Sequence, residues 1–94
     1  MADHKRVRLI VCGRVQGVGF RYFTQRRGKR LGLVGWVKNL ANGDVQAEAE
    51  GSTDAVDLFI DMIKKGPSAA RVIDLKVQDM PATYCDVAFD IRAF

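Results

Sequence analysis

Residues that staple, ligate or break a chain are scarce here. Among 94 residues there are two cysteines, two prolines and a single histidine. No CxxC or cysteine–histidine spacing marks a metal site. Two cysteines without an export signal point to free thiols at Cys12 and Cys85 rather than a disulfide. No apolar run approaches the roughly 20 residues that span a bilayer. The N-terminus, Met1-Ala2-Asp3-His4-Lys5-Arg6, leads into only six mostly apolar residues before Gly13-Arg14, too few for a signal-peptide core. These absences predict a soluble, cytoplasmic protein with no membrane association. No linker, repeat or low-complexity stretch interrupts the chain, so one domain over residues 1–94 is expected, with residues 1–6 flexible.

Apolar residues make up 48% of the chain, too many for a disordered basic tail. A domain this small buries only roughly 60–65% of its chain surface, so one fold must use nearly every apolar side chain. The formal charge is +4, and it is unevenly spread. Up to Lys38 there are ten basic residues against Asp3 alone; from Asn39 onward five basic residues face ten acids. That asymmetry makes an anionic partner the first hypothesis, without saying which anion.

The apolar pattern orders the elements. Val7, Leu9 and Val11 alternate with Arg8, Ile10 and Cys12, which suits a central strand with apolar residues on both faces. Glycines 13, 17 and 19 punctuate a loop. From Phe20 a helical stripe of Phe20, Phe23, Thr24 and Leu31 appears, with Gly28 beside it, Arg27 snorkelling outward and Gly32 as the cap. Val34 to Asn39 forms a second strand and Val45 to Glu50 a third. The third puts Val45, Ala47 and Ala49 inward and Gln46, Glu48 and Glu50 outward. Asn42-Gly43 between them signals a hairpin, since both residues accept positive φ. Ser52 or Thr53 caps a second helix whose Val56, Phe59, Ile60 and Ile63 face one way, and Lys64-Lys65-Gly66-Pro67 ends it. A fourth strand is expected over Val72 to Gln78, with Ile73, Leu75 and Val77 on one face. A fifth, after Pro81, carries Val87, Phe89 and Ile91. The order β-α-β-β-α-β is that of the ferredoxin-like α+β arrangement, an antiparallel sheet with two helices on one face, plus a short C-terminal strand.

Chemistry concentrates between the first strand and first helix, in Cys12-Gly13-Arg14-Val15-Gln16-Gly17-Val18-Gly19-Phe20-Arg21. A short glycine-bearing turn into a helix N-terminus can gather backbone N–H groups into one concavity, which suits a phosphate. Arg21, in the first helical turn, can place its planar fork against the same anion. No Gly-Lys-Ser/Thr follows, so this is not a Walker loop, and no third glycine or doubly wound pattern makes it a dinucleotide fingerprint. Spacing alone leaves two readings open, an anion cradle or a tight turn beside a solvated arginine.

Gly13-x-Val15-Gln16-Gly17-Val18-x-Phe20-Arg21 closely resembles the signature of the acylphosphatase family. Val34-Gly35-Trp36-Val37-Lys38-Asn39 followed by Asn42-Gly43 resembles that family's second motif. The likeness covers nearly the whole chain. It implies hydrolysis of a carboxyl–phosphate anhydride to carboxylate and inorganic phosphate, with no metal or other cofactor. Carried over by position, the phosphate-binding arginine falls on Arg21 and the water-positioning asparagine on Asn39. The cradle falls on the backbone amides of Val15, Gln16, Gly17, Val18, Gly19 and Phe20. The expected partner is a small acyl phosphate, not nucleic acid, and a monomer is the default. The alternative is a non-enzymatic small-anion-binding or regulatory module of the same fold, which needs Arg21 and the cradle but not Asn39.

Other candidates have plainer explanations. His4 sits in a polar arm with no expected catalytic role, and Cys12 reads as packing. Asp54, Asp57 and Asp61 read as a solvated helix face, and Trp36 as core or site wall. Glu48 and Glu50 point outward, away from the loop. The run Arg26-Arg27-Gly28-Lys29-Arg30 is the rival signal for a nucleic-acid patch. RNA-binding members of this fold expose aromatics on the open sheet face, whereas here outward acids on the third strand would repel RNA.

Overall fold

Alternation in the first strand decides the layers. A computed structural model describes residues 3–93, and in it β1 (His4–Arg14) buries Val7, Leu9 and Val11 completely against two helices. It is followed by α1 (Phe20–Arg30), β2 (Val34–Asn39), β3 (Val45–Ser52), α2 (Thr53–Lys65), β4 (Arg71–Met80) and β5 (Phe89–Arg92). The sheet order is β4-β1-β3-β2-β5. The first four strands pair antiparallel, with Leu9 opposite Ala47 and Val37 opposite the same alanine. β5 joins the far edge parallel to β2, Gly35 beside Phe89 and Val37 beside Ile91. The arrangement is ferredoxin-like with one added strand, and that strand makes the sheet mixed.

One apolar cluster joins the sheet to both helices. Val7, Leu9, Val11, Val37, Val45, Ala47 and Ala49 meet Phe20 from α1 and Val56, Phe59 and Ile63 from α2. Complete burial of each such side chain contributes roughly 1.5–3 kcal/mol, and in a domain this small no single one is redundant. Ser52 caps α2 by accepting a hydrogen bond from the Ala55 N–H at 3.2 Å. α1 closes at Leu31, with Gly32 just beyond at φ 71°. There the Gly32 N–H donates to Lys29 O and the Leu33 N–H to Gly28 O, the paired bonds that satisfy a helix's last carbonyls.

Gly28 lies inside α1, where glycine is unfavourable by about 1 kcal/mol relative to alanine. The reason is tertiary. A Cβ there would stand 2.5 Å from the ring of Phe89. That ring is fully buried and packs at 5.7 Å against Phe59, while the Gln25 Nε2 amide donates to Phe89 O at 2.9 Å. Together these contacts dock β5 onto both helices.

Several local expectations are corrected. β1 begins at His4, so residues 4–6, expected to be flexible, lie in a paired strand; Met1 and Ala2 fall outside the described residues. β4 is longer than expected, and its register with β1 shifts between Cys12 and Gly13. That irregularity breaks the two-residue alternation: Ile73 is 74% exposed, while Val72 and Leu75 pack on the core. Val87 lies in the coil before β5, 95% exposed, because β5 starts only at Phe89. In the β2–β3 loop only Gly43 has positive φ; Asn42 contributes instead through Oδ1, which accepts from the Asp44 N–H at 3.0 Å.

The largest correction concerns Glu48 and Glu50. Both point away from the helices, as the alternation required, yet both are buried. Residues 81–88 cross that side of the sheet as a strap. Oε1 of Glu50 accepts from the Thr83 N–H at 3.0 Å, and Oε2 accepts from the Tyr84 N–H at 3.0 Å. Arg6 donates to Glu48, Glu50 and Asp86 at 2.7–3.0 Å, and Arg8 forks onto Glu48. His4 Nε2 lies 2.8 Å from Oε2 of Glu50, and its ring stacks on Tyr84 at 4.5 Å. Burial pushes the Glu50 carboxyl up, but these hydrogen bonds outweigh it and hold the group at about 2. The same balance lowers Glu48, where burial is opposed by Arg8 and Arg6.

Candidate functional site

At the far end of β1 from this network, the chain leaves the sheet at Arg14 and reaches α1 through five loop residues, 15–19. Val15 is buried and anchors the loop in the core. Gly17 and Gly19 adopt left-handed conformations, φ 74° and 77°, which other L-residues reach only at a cost of about 1 kcal/mol or more. A Cβ at either would meet nothing within 4 Å, so the space above them is open. Among the described residues, the N–H groups of Val15 to Gly19 donate to no backbone carbonyl. Gly19 is the N-cap of α1 and has no side chain to occupy the helix's free N–H groups. Free amides, open space and the positive end of a helix dipole therefore coincide.

The open space is a cleft of about 210 Å³ lined by Val15, Gly17, Gly19, Phe20, Arg21, Tyr22, Asn39 and Ile91. Arg21 comes from the first turn of α1 and Asn39 from the last position of β2. The two side chains singled out from the sequence thus share one cavity, 18 positions apart in the chain. Oδ1 of Asn39 is buried and accepts no hydrogen bond from the described residues. A buried acceptor left without a donor costs about 1–3 kcal/mol, so it marks a place built to receive one. Among the described residues no carboxylate lines the cleft. Its charge is that of Arg21, reinforced by the helix end.

Val15, Gly17, Gly19 and Phe20 line this space, while the side chains of Val18 and Gln16 turn from it, that of Val18 onto the core. The Gln16 Nε2 amide donates to Leu40 O at 2.8 Å and to Asp44 O at 2.9 Å. It thereby bolts the loop to the turn that follows Asn39, and fixes the spacing between the two halves of the site. Sequence reading assigned Gln16 only its backbone amide, and no sequence signal announced the side-chain bridge. Ile91 and Tyr22 were missed too, Ile91 because the partner of the fifth strand was unreadable.

The remaining candidates lie off the cleft. Cys12 is half-buried, and burial, followed by Asp44, pushes its thiol above the ordinary value, which keeps it protonated and unreactive. Among the described residues no group of three or more His, Cys, Asp or Glu side chains could hold a metal ion. No described helix is long and apolar enough to cross a membrane.

Comparison with known proteins identifies relatives along almost the whole chain. The family model for acylphosphatase matches residues 7–91. An acylphosphatase of Salinibacter ruber is 47% identical over 88 residues, covering 94% of this chain and 93% of that protein. One of Anaeromyxobacter dehalogenans is 46% identical across 100% of this chain and 96% of its own length. The crystal structure of the Bacillus subtilis acylphosphatase superposes with a TM-score of 0.89 at 40% identity, covering 93% of this chain and 97% of that one. The family match runs from β1 to Ile91, within β5. The chain belongs to the acylphosphatase family.

Proposed function

We propose that the cleft hydrolyses acyl phosphates to carboxylate and inorganic phosphate, with Arg21 and the loop amides holding the phosphoryl group and Asn39 orienting the attacking water. The observation that carries this reading is that Arg21 and Asn39, distant in the chain, line one small cavity beside the glycine turn. An acyl phosphate is already activated, because its leaving group is a stable carboxylate. Positioning and charge stabilisation therefore supply most of the acceleration, and no covalent intermediate is needed. The amides of residues 15–20 and the Arg21 fork neutralise charge on the equatorial phosphoryl oxygens as it redistributes. A water hydrogen-bonded to the Asn39 side-chain amide is held with a lone pair toward phosphorus, opposite the leaving oxygen. Its oxygen bonds to phosphorus while the bond to the carboxylate oxygen breaks. Its proton passes to a phosphoryl oxygen of the substrate, since the cleft presents no His, Asp or Glu to take it. In this reading the protein acts as a cytoplasmic monomer on a small substrate, without nucleic acid.

The test times benzoyl phosphate with wild type, Arg21→Ala, Arg21→Lys and Asn39→Ala. Each variant should lose most turnover, Arg21→Lys included, because a point charge cannot reproduce the bidentate fork. Asn39→Ala should still bind inorganic phosphate. A pH–rate profile without an enzyme-derived basic limb near pH 6–7 is expected. Wild-type rates no higher than buffer would refute the reading, and phosphate binding without turnover would leave an anion-binding module in its place.

A further inference from the structure

Beside the cleft runs a larger concavity, a groove of about 640 Å³ along the outer side of α1. Tyr22, Phe23, Arg26, Arg27, Lys29 and Arg30 line it, and Gly19 stands at its near end. Gly19 and Tyr22 also line the cleft, so the two spaces are neighbours at those residues. Tyr22, Arg26 and Arg30 are spaced four apart, in one row on the helix. The Arg26 guanidinium lies over the Tyr22 ring at 5.4 Å, and that of Arg27 over the Phe23 ring at 5.1 Å. Both charges are thereby carried one helical turn nearer the cleft than their own Cα atoms.

The groove is also electrostatically unbalanced. α1 contains no acidic residue in its sequence, and among the described residues none of Arg26, Arg27, Lys29 or Arg30 forms an ion pair. Of the four lysines and arginines of β1, only Arg14 at its end is likewise without an ion pair among the described residues: Lys5 is paired with Asp57, Arg6 with Glu48, Glu50 and Asp86, and Arg8 with Glu48. Cations kept without acids around a concavity that shares lining residues with the cleft are complementary to an anion that arrives with the substrate.

We propose that this groove is the subsite for the acyl group, and that it selects acyl phosphates whose acyl chain carries a second, distal anionic group, gripped by Arg26 with Arg30 behind it. The proposal rests on the acyl phosphate reading of the cleft and extends it to substrate class. With the phosphoryl group at the loop, an acyl group can leave the cleft across Gly19, where no side chain blocks it. The ring of Tyr22 lies next along the groove, with the Arg26 guanidinium over it. Arg26 lies roughly 10 Å beyond Gly19 along the helix axis, at 1.5 Å per residue. Its lean back over Tyr22 shortens that distance to the span of one substituted ring or a short diacid chain. A guanidinium stacked on an aromatic face keeps its edge N–H groups free for a carboxylate or phosphate.

The experiment compares two substrates that differ only at the distal end, benzoyl phosphate and 4-carboxybenzoyl phosphate. For each protein the readout is the ratio of kcat/KM for the carboxylated substrate to that for the plain one. The proteins are wild type, the double variant Arg26→Gln/Arg30→Gln, and a charge-matched control, Lys64→Gln/Lys65→Gln, whose residues are exposed at the end of α2 and line neither space. The ratio should fall by about threefold to tenfold in the α1 variant, the range for losing one or two partly solvated ion pairs. The fall should appear in KM for the carboxylated substrate, and the control should keep the wild-type ratio within about twofold. An unchanged ratio in the α1 variant overturns the subsite while leaving the cleft reading intact. An equal fall in the control overturns it too, since the effect is then the net field of the protein. If wild type hydrolyses neither substrate, the acyl phosphate reading fails and takes this proposal with it.

Discussion

Glu50→Gln perturbs the strap and little else. The wild-type carboxylate accepts from the Thr83 and Tyr84 amides, the Thr83 hydroxyl and Arg6, and it lies against His4. Burial opposes its charge, yet these partners hold it at about 2 against an ordinary 4.5. At 1.36 kcal/mol per unit, that difference corresponds to about 3 kcal/mol of stability contributed by the ionised group. Glutamine offers one acceptor where the carboxylate offers two, and its amide N–H groups would face other donors. The expected destabilisation near neutral pH is about 3 kcal/mol, or a Tm drop on the order of 15 °C for a domain of this size. The sign with pH follows from the depression. A carboxyl held below its unfolded value stabilises fully above about pH 5, and that contribution drains away as pH falls toward about 2. Urea unfolding of both proteins from about pH 7 to about pH 2.5 should therefore show their stabilities converging in acid. A variant that loses less than about 1 kcal/mol at neutral pH, or that keeps the wild-type acid slope, would refute the burial and bonding assigned to Glu50.

Gly28→Ala should destabilise by about 1–3 kcal/mol in urea unfolding, although alanine is the better helix former, because its Cβ enters the Phe89 ring at 2.5 Å. A stabilised variant would mean that β5 docks more loosely than the packing indicates. Gln16→Leu removes both bonds to the Leu40 and Asp44 carbonyls and should lose about 1–3 kcal/mol of stability. It should also lower benzoyl phosphate turnover by tenfold or more while still folded, a misplacement of about 1 Å being enough for that. Normal turnover would show that the loop and Asn39 hold their spacing without the bridge.

What the sequence made legible was whatever is written locally. The stripe Val56, Phe59, Ile63, the Ser52 cap and the glycines at positions 17 and 19 each state their conformation within a few residues, and each is found as expected. The alternation in β3 likewise told correctly which way Glu48 and Glu50 point. It could not tell what lies over them, because residues 81–88 form coil and a strap of coil has no period to read. Ile73 failed for a related reason: the register shift beside Cys12 is a property of two strands, invisible in either alone. Arg21 and Asn39 were read through motif resemblance. Their shared cavity and the missing donor at Asn39 Oδ1 emerge only when β2 and α1 are set side by side.

The charge asymmetry along the chain acquires a physical meaning from the same pairing of distant segments. The basic first half does not act as one positive surface. Most of its β1 portion is consumed internally: Lys5, Arg6 and Arg8 reach across to acids of the later half, on β3, α2 and the strap. The strand order forces this, since β1 lies beside β3 in the sheet and brings basic and acidic segments into register, Arg6 opposite Glu50 and Arg8 opposite Glu48. Among the described residues no acid forms an ion pair with α1, so its cations stay unmatched beside the cleft. Salt should therefore distinguish the two sets. The exposed α1 charges are screened within about 8–10 Å at physiological ionic strength, whereas the buried Arg6–Glu48–Glu50 cluster is screened much less. Raising salt should weaken the capture of an anionic substrate well before it weakens the fold, and a Tm that fell in step with kcat/KM would contradict that separation.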